Sequence, residues 1–411
     1  MNIRTVRQII PFALFLMIYL GALAWFGVNR PVPWGDEAHF HEAIKQFAHH
    51  PTLETLRTYN EMSTPLPFVL YALWGKAFGL ELPVLRIGSL VIASLALGLG
   101  YWLFRLLLPN WLATLAVVFL AVNPYFAGTS VFVFTDMLAT AFLISGAIAL
   151  IKESGLGLFV SCSGALLSRQ YLVFFPLAVM GYCGLRYLFS RHTASLSNLW
   201  WTLLSFLPVA GLFLFWGGLS PDCPRRANYL SVGWGWHPQS FFLYTALLFV
   251  YALPFSAAVL YNRRQVIRGL WFVAPVCLLY WTAPIGPSPF TLAETDFVTV
   301  GMLHRLSTRL FPDLVTDGLF FLFFLLGAAV LAVYVHRIVL QLRWRKIETI
   351  DFLILAHVLF LAVMPFSYLW WEKYFLPLLP LSLVLAAMSG LPVSGNGGRT
   401  NHPDAPWKGA Q

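Results

Sequence analysis

The stretch Pro33-Trp34-Gly35-Asp36-Glu37-Ala38-His39-Phe40-His41-Glu42 gathers acids and histidines at the density of a reaction site. A carboxylate beside a substrate hydroxyl can take its proton as general base. The Asp36-Glu37 pair is the leading candidate for that chemistry. Asp36 follows a Pro/Gly turn and opens a helical pattern with apolar residues at Phe40, Ala43, Ile44 and Phe47. Helix capping and the helix dipole already favour one acid there. They do not account for Asp36, Glu37, His39 and His41 together. Glu37 and His41 are i,i+4 neighbours, a spacing that suits a divalent cation. The residues after His41 are Glu-Ala-Ile-Lys, so the His-Glu-x-x-His zinc pattern fails at its last position. No metal or other cofactor is expected.

Further chemistry-bearing residues are scattered along the chain. Asp136 follows Phe134-Thr135; it is either a helix cap or a functional carboxylate at a membrane boundary. Arg169, in Ser168-Arg169-Gln170, is either part of a plain turn or a permanent positive fork for a phosphate. The run Trp234-Gly235-Trp236-His237-Pro238-Gln239 offers aromatic surfaces beside polar groups. That is ordinary interface anchoring and also what sugar rings stack on. Arg225-Arg226 lies just before it, and Glu294, Asp296, His304, Arg305 and Arg309 form a later polar segment of unassigned role. In Trp370-Trp371-Glu372-Lys373-Tyr374, Lys373 stands at a helix start, against the macrodipole, which points to a ligand for it. The substrate-binding candidates are His39, His41, Arg169, Gln170, Trp236, His237, Gln239, Glu372 and Lys373.

These residues sit in a very apolar chain. Of 411 residues 59% are hydrophobic and 10% charged, with mean hydropathy +0.73. A soluble domain averages about 25% charged residues, so a soluble enzyme is excluded. A span needs about 20 apolar residues. Twelve runs approach this, near 9–28, 83–108, 111–124, 134–151, 155–168, 170–189, 199–218, 239–261, 266–283, 317–340, 351–370 and 374–391. The expected fold is all-α, a polytopic helical membrane domain over 1–392 followed by a disordered cytoplasmic tail over 393–411. The first run follows Arg4 and Arg7 and reads as a retained anchor, its apolar stretch being longer than that of a signal peptide.

The net charge of +9 is explained by topology and not by nucleic acid. With the N-terminus in the cytoplasm, inner segments hold most of the 26 basic residues and the acids Glu153, Glu348, Asp351 and Asp404, as the positive-inside rule requires. Both termini then lie inside, and most acids fall in outer segments: 29–82, 123–136, 217–238 and 284–316. Within the first outer loop, 29–82, the apolar segment Phe68 to Phe78 is too short to span and reads as interfacial or re-entrant. The cysteines Cys162, Cys183, Cys223 and Cys277 form no CxxC pair, so no disulfide framework or zinc site is expected.

The order of these pieces resembles a GT-C membrane glycosyltransferase. It is most similar to the dolichyl-phosphate-glucose α-1,2-glucosyltransferase family, in the form of a bacterial relative. The pieces are Asp36-Glu37-Ala38-His39-Phe40-His41, Ser63-Thr64-Pro65-Leu66-Pro67, Phe134-Thr135-Asp136, Ser168-Arg169-Gln170, His237-Pro238-Gln239 and the Glu372-Lys373-Tyr374-Phe375 run before the last apolar segment. His39 precedes Phe40 where the family places an aromatic residue first, and Lys373 stands where many members carry Arg. The resemblance implies inverting transfer of a sugar from a polyprenyl-phosphate carrier to a lipid-linked or glycan acceptor hydroxyl on the non-cytoplasmic face. The membrane would be the inner membrane of a bacterium or the ER of a eukaryote. Asp36 would be the base, Glu37 or Asp136 would support positive charge on the ring, and Arg169, Lys373 or Arg225-Arg226 would hold the phosphate. A transporter and a non-catalytic envelope-glycan scaffold are the alternatives. Transporters place ionisable groups near the bilayer midplane, whereas these spans are nearly free of charge apart from Arg86.

Overall fold

The computed structural model describes residues 3–227, 235–261, 275–294 and 297–390. Trp234, Asp296, Arg263, Arg264, Arg268, the first half of the 266–283 run and the 393–411 tail lie outside the described residues. The described residues are 78% helix and contain no strand. Long apolar sequences favour this outcome because a helix satisfies its own backbone where no water reaches it.

In chain order the helices are α1 (Ile3–Gly27), α2 (Glu37–His49), α3 (Leu53–Thr58), α4 (Leu66–Phe78), α5 (Leu82–Leu107), α6 (Asn110–Val122), α7 (Pro124–Val131), α8 (Asp136–Ile151) and α9 (Gly155–Leu166). Then come α10 (Phe174–Ser190), α11 (Thr193–Leu204), α12 (Leu207–Trp216), α13 (Pro238–Val250), α14 (Leu253–Tyr261) and α15 (Pro289–Glu294). The last are α16 (Met302–Leu310), α17 (Asp313–Trp344), α18 (Thr349–Val363) and α19 (Leu379–Gly390). One-turn 3-10 helices sit at Gln170–Val173, Met364–Phe366 and Glu372–Phe375.

Among the described residues five helical segments are long and apolar enough to cross a membrane: α5, Gln170–Ser190, Thr193–Trp216, α17 and Thr349–Phe366. Two bent pairs raise this to seven if each is one span. The chain is a helical, membrane-embedded protein, but the twelve runs expected from hydropathy do not all become long straight spans. α8 shows why. It has 16 residues, about 24 Å at 1.5 Å per residue, short of a hydrocarbon core of about 30 Å. Almost all of it is buried by other helices. Apolar sequence marks burial, and lipid is only one way to be buried.

The bends have local causes. α6 and α7 meet at 68° across Asn123-Pro124. Proline donates no N–H and holds the preceding residue extended, and Asn123 then caps α7 through Tyr125 N at 3.0 Å and Phe126 N at 3.2 Å. α13 and α14 meet at 88°, with Pro254 in the first turn of α14. Where α13 crosses α17 the backbones nearly touch, and a side chain on Gly327 would collide with the Thr245 carbonyl.

The buried apolar residues form two cores. The larger runs through the long helices from α5 to α19. The smaller holds the 29–82 segment together, with Phe40, Ile44 and Phe47 of α2 against Tyr59, Phe68 and Tyr71, closed by Phe132, Phe134 and Trp216. α4 thus has one face on α2 and α5 while Leu70, Leu73 and Phe78 stay exposed.

Candidate functional site

The turn before α2 is made by Gly35, whose φ of +57° suits glycine. Asp36 follows, and its side chain makes no capping bond to α2. Glu37 does the local structural work instead. It is fully buried and accepts from Trp34 N at 3.0 Å and Val133 N at 3.0 Å. It also binds Arg86 through two parallel bonds, Nε–Oε1 at 2.9 Å and Nη2–Oε2 at 2.6 Å. Arg86 spends its remaining donors on the carbonyls of Gly27, Val28, Arg30 and Val32. This ion pair ties the end of α1, the start of α2 and the start of α5 together.

Free of any capping bond to α2, the Asp36 carboxylate meets other side chains. Its Oδ2 accepts a hydrogen bond from Lys373 Nζ, and its Oδ1 lies 3.6 Å from His39 Nε2. The other ring nitrogen of His39 is 2.6 Å from Glu61 Oε1, and Glu61 Oε2 is 3.6 Å from Arg225 Nη1. A chain of alternating charge therefore runs from Lys373 to Arg225. Burial tends to raise the Asp36 pKa, but Lys373 and His39 outweigh it and hold the group well below the usual carboxylate range. Burial tends to lower the His39 pKa, and Asp36 and Glu61 raise it above the ordinary histidine value.

A second ion pair lies alongside. Asp136, at the start of α8, is fully buried and bonds Arg169 Nη2 at 2.7 Å. Arg169 Nη1 donates to Ser63 Oγ at 2.9 Å, and the guanidinium faces the Tyr374 ring at 5.8 Å. Asp136 Oδ1 and Arg169 Nε are buried and make no hydrogen bond among the described residues. Gln170 Nε2 donates to the Met62 and Leu219 carbonyls, and Thr64 Oγ1 to the Leu166 carbonyl at 2.9 Å. The α9–α10 turn is thereby clamped to the 29–82 segment.

Lys373 is delivered by the Glu372–Phe375 turn, and that turn is anchored by Glu372. Its buried carboxylate accepts from Leu303 N and His304 N, both at 2.9 Å, at the start of α16, and from Tyr251 Oη at 3.0 Å. Burial raises its pKa against these donors. Gly301 passes directly over Glu372, and a Cβ there would strike it.

Asp36, His39, Glu61, Arg169, Arg225, Arg305 and Lys373 all line one cavity of about 470 Å³. Its other walls are largely aromatic, including Trp34, Phe134, Phe297, Tyr368, Trp371 and Tyr374. The size suits a small-molecule site. The segments that meet there come from residue 34 to residue 374. Four cations against two carboxylates make the lining electropositive.

Several sequence candidates lie elsewhere. Glu37 is sealed against Arg86, and His41 Nε2 bonds the Leu80 carbonyl at 2.7 Å. The two do not form a shared ligand pair. Asp136 stands behind Arg169 and is not itself a lining residue, and Gln170 and Glu372 also position without lining. His237 packs on Trp370 at 5.0 Å, its backbone N–H bonds the Pro365 carbonyl at 2.7 Å, and Trp236 is exposed. Neither they nor Gln239 line the cavity. Among the described residues no three His, Cys, Asp or Glu gather as metal ligands would. Sequence reasoning left Glu61, Tyr125 and Arg305 without a role. The signal for Glu61 was available, since it is an acid directly before the Pro65/Pro67 helix start. Comparison with family models, with curated proteins and with solved structures gives no match to this chain.

Proposed function

We propose that the chain is a GT-C-type membrane glycosyltransferase that moves a hexose from a polyprenyl-phosphate carrier to an acceptor hydroxyl on the non-cytoplasmic side. One observation carries the reading. A half-exposed carboxylate, Asp36, and four cations from distant segments face the same electropositive, aromatic-walled cavity. The aromatic walls suit a sugar ring, and the cations suit a phosphate. In the reaction the acceptor oxygen attacks the anomeric carbon while Asp36 takes its proton. The new C–O bond forms as the bond from that carbon to the phosphate oxygen breaks, and the electron pair leaves on polyprenyl phosphate. Arg169, held by Asp136 and Ser63, would stabilise that charge from a fixed position, and Lys373 would add a second cation.

The assay is transfer of radiolabelled sugar from a polyprenyl-phosphate donor in vesicles. Asp36→Asn keeps the shape and removes the proton acceptor, so transfer is expected to fall about 10²- to 10⁴-fold. Near-normal transfer by this variant would remove Asp36 as base. Donor and acceptor that stay unchanged with the wild-type chain, while labelled sugar enters the vesicles, would instead make it a transporter.

A further inference from the structure

The bond that anchors Lys373 also disables the proposed base. A carboxylate paired with an ammonium is a poor proton acceptor, and Asp36 is held well below the ordinary carboxylate range by Lys373 and His39 acting against burial. For Asp36 to work, Lys373 must leave it. The cavity contains the means. Of its cations, Arg169 is buried and fixed by Asp136 and Ser63, and Arg225 lies 3.6 Å from Glu61. Lys373 is held by an exposed partner, the 38% accessible Asp36 side chain. Its ammonium lies 5.3 Å from the Phe134 ring centroid and 5.7 Å from that of Tyr374. Aromatic faces tolerate a cation in more than one position, and lysine is a compact charge on a flexible stem.

We propose that Lys373 exchanges partners: it neutralises Asp36 until the phosphate of a lipid-linked substrate draws it away, so that Asp36 becomes a base only when the donor is in place. The idea rests on the donor assignment above and adds a regulation of the same site. Proton abstraction from the acceptor is thereby coupled to donor binding, and the order of events is donor first. Lys373 is then both phosphate ligand and positioning residue for the base.

The exchange can be read without turnover. The full chain in lipid nanodiscs is treated with a water-soluble carbodiimide, which joins a carboxylate to an amine in contact with it and leaves as the urea. An amide linking the Asp36 and Lys373 peptides is expected by mass spectrometry, and it should be absent from Asp36→Asn and Lys373→Met. The exposed Glu42–Lys45 pair, 3.0 Å apart, serves as internal reference for reagent consumption. Farnesyl phosphate, whose binding is measured separately with radiolabel, is added at roughly ten times its Kd. The Asp36–Lys373 link should fall about tenfold relative to the reference, in proportion to the unliganded fraction. Farnesol should leave it unchanged. A link that persists while farnesyl phosphate is bound overturns the exchange and leaves the donor assignment standing. Failure of farnesyl phosphate to bind sinks the donor assignment and the exchange with it. Absence of the link in the untreated protein also overturns the exchange. Equal loss with inorganic phosphate at the same concentration overturns a trigger specific to the lipid-borne donor.

Discussion

At the scale of single residues, Asp36 and Glu37 are adjacent acids with opposite fates. Glu37 is at 0% exposure with every nearby donor aimed at it, whereas the Asp36 side chain is 38% accessible and faces a cavity. Removing one partner of a buried ion pair leaves an uncompensated charge, which costs about 3–5 kcal/mol. Glu37→Gln should therefore lower the thermal unfolding midpoint in detergent markedly, while the folded fraction still transfers sugar. A variant as stable as wild type yet inactive would return Glu37 to the chemistry. Such a result is not expected, because the Glu37 oxygens are already taken by Arg86, Trp34 N and Val133 N.

At the scale of elements, the site depends on how short pieces are held. α16 has nine residues and a highly polar face, too little to persist alone. Glu372 supplies acceptors for two of its first N–H groups and so fixes Gly301, Met302 and Arg305 at the cavity wall. Glu372→Ala leaves both donors buried without a partner, at about 1–3 kcal/mol each. Amide hydrogen exchange over residues 301–310 should accelerate in that variant and much less in Glu372→Gln, which keeps an acceptor oxygen. Uniform acceleration across the protein would instead mean that Glu372 supports the whole fold.

At the scale of the molecule, α17 starts just after α16 and runs for 32 residues, about 48 Å at 1.5 Å per residue, longer than a hydrocarbon core of about 30 Å, and it separates Arg345-Lys346 from the cavity wall at Arg305. Under the proposed orientation, with the site on the non-cytoplasmic side, the Arg345-Lys346 end would lie in the cytoplasm. With the four native cysteines replaced by alanine, His49→Cys beside the site should react with an impermeant maleimide on intact spheroplasts. Lys346→Cys should react only after permeabilisation. The reverse pattern would turn the site toward the cytoplasm and remove the non-cytoplasmic reaction from consideration.

The amino-acid sequence by itself determined that this is a helical membrane protein, because composition and run length follow directly from the exclusion of water. It also marked Asp36, Arg169 and Lys373, since charged groups in so apolar a chain are costly and few. It could not tell Asp36 from Glu37, because a helix start favours either acid. It could not say whether an apolar run such as α8 faces lipid or other helices, since both environments select the same residues. Nor could it bring Asp36 to Lys373, 337 positions away, or leave His237 and Gln239 outside the cavity. Those pairings depend on which helices pack together, and only tertiary structure decided them. The decisive contacts are the Glu37–Arg86 pair, the Glu372 anchor on α16 and the close crossing of α13 over Gly327, each made between residues far apart in the chain.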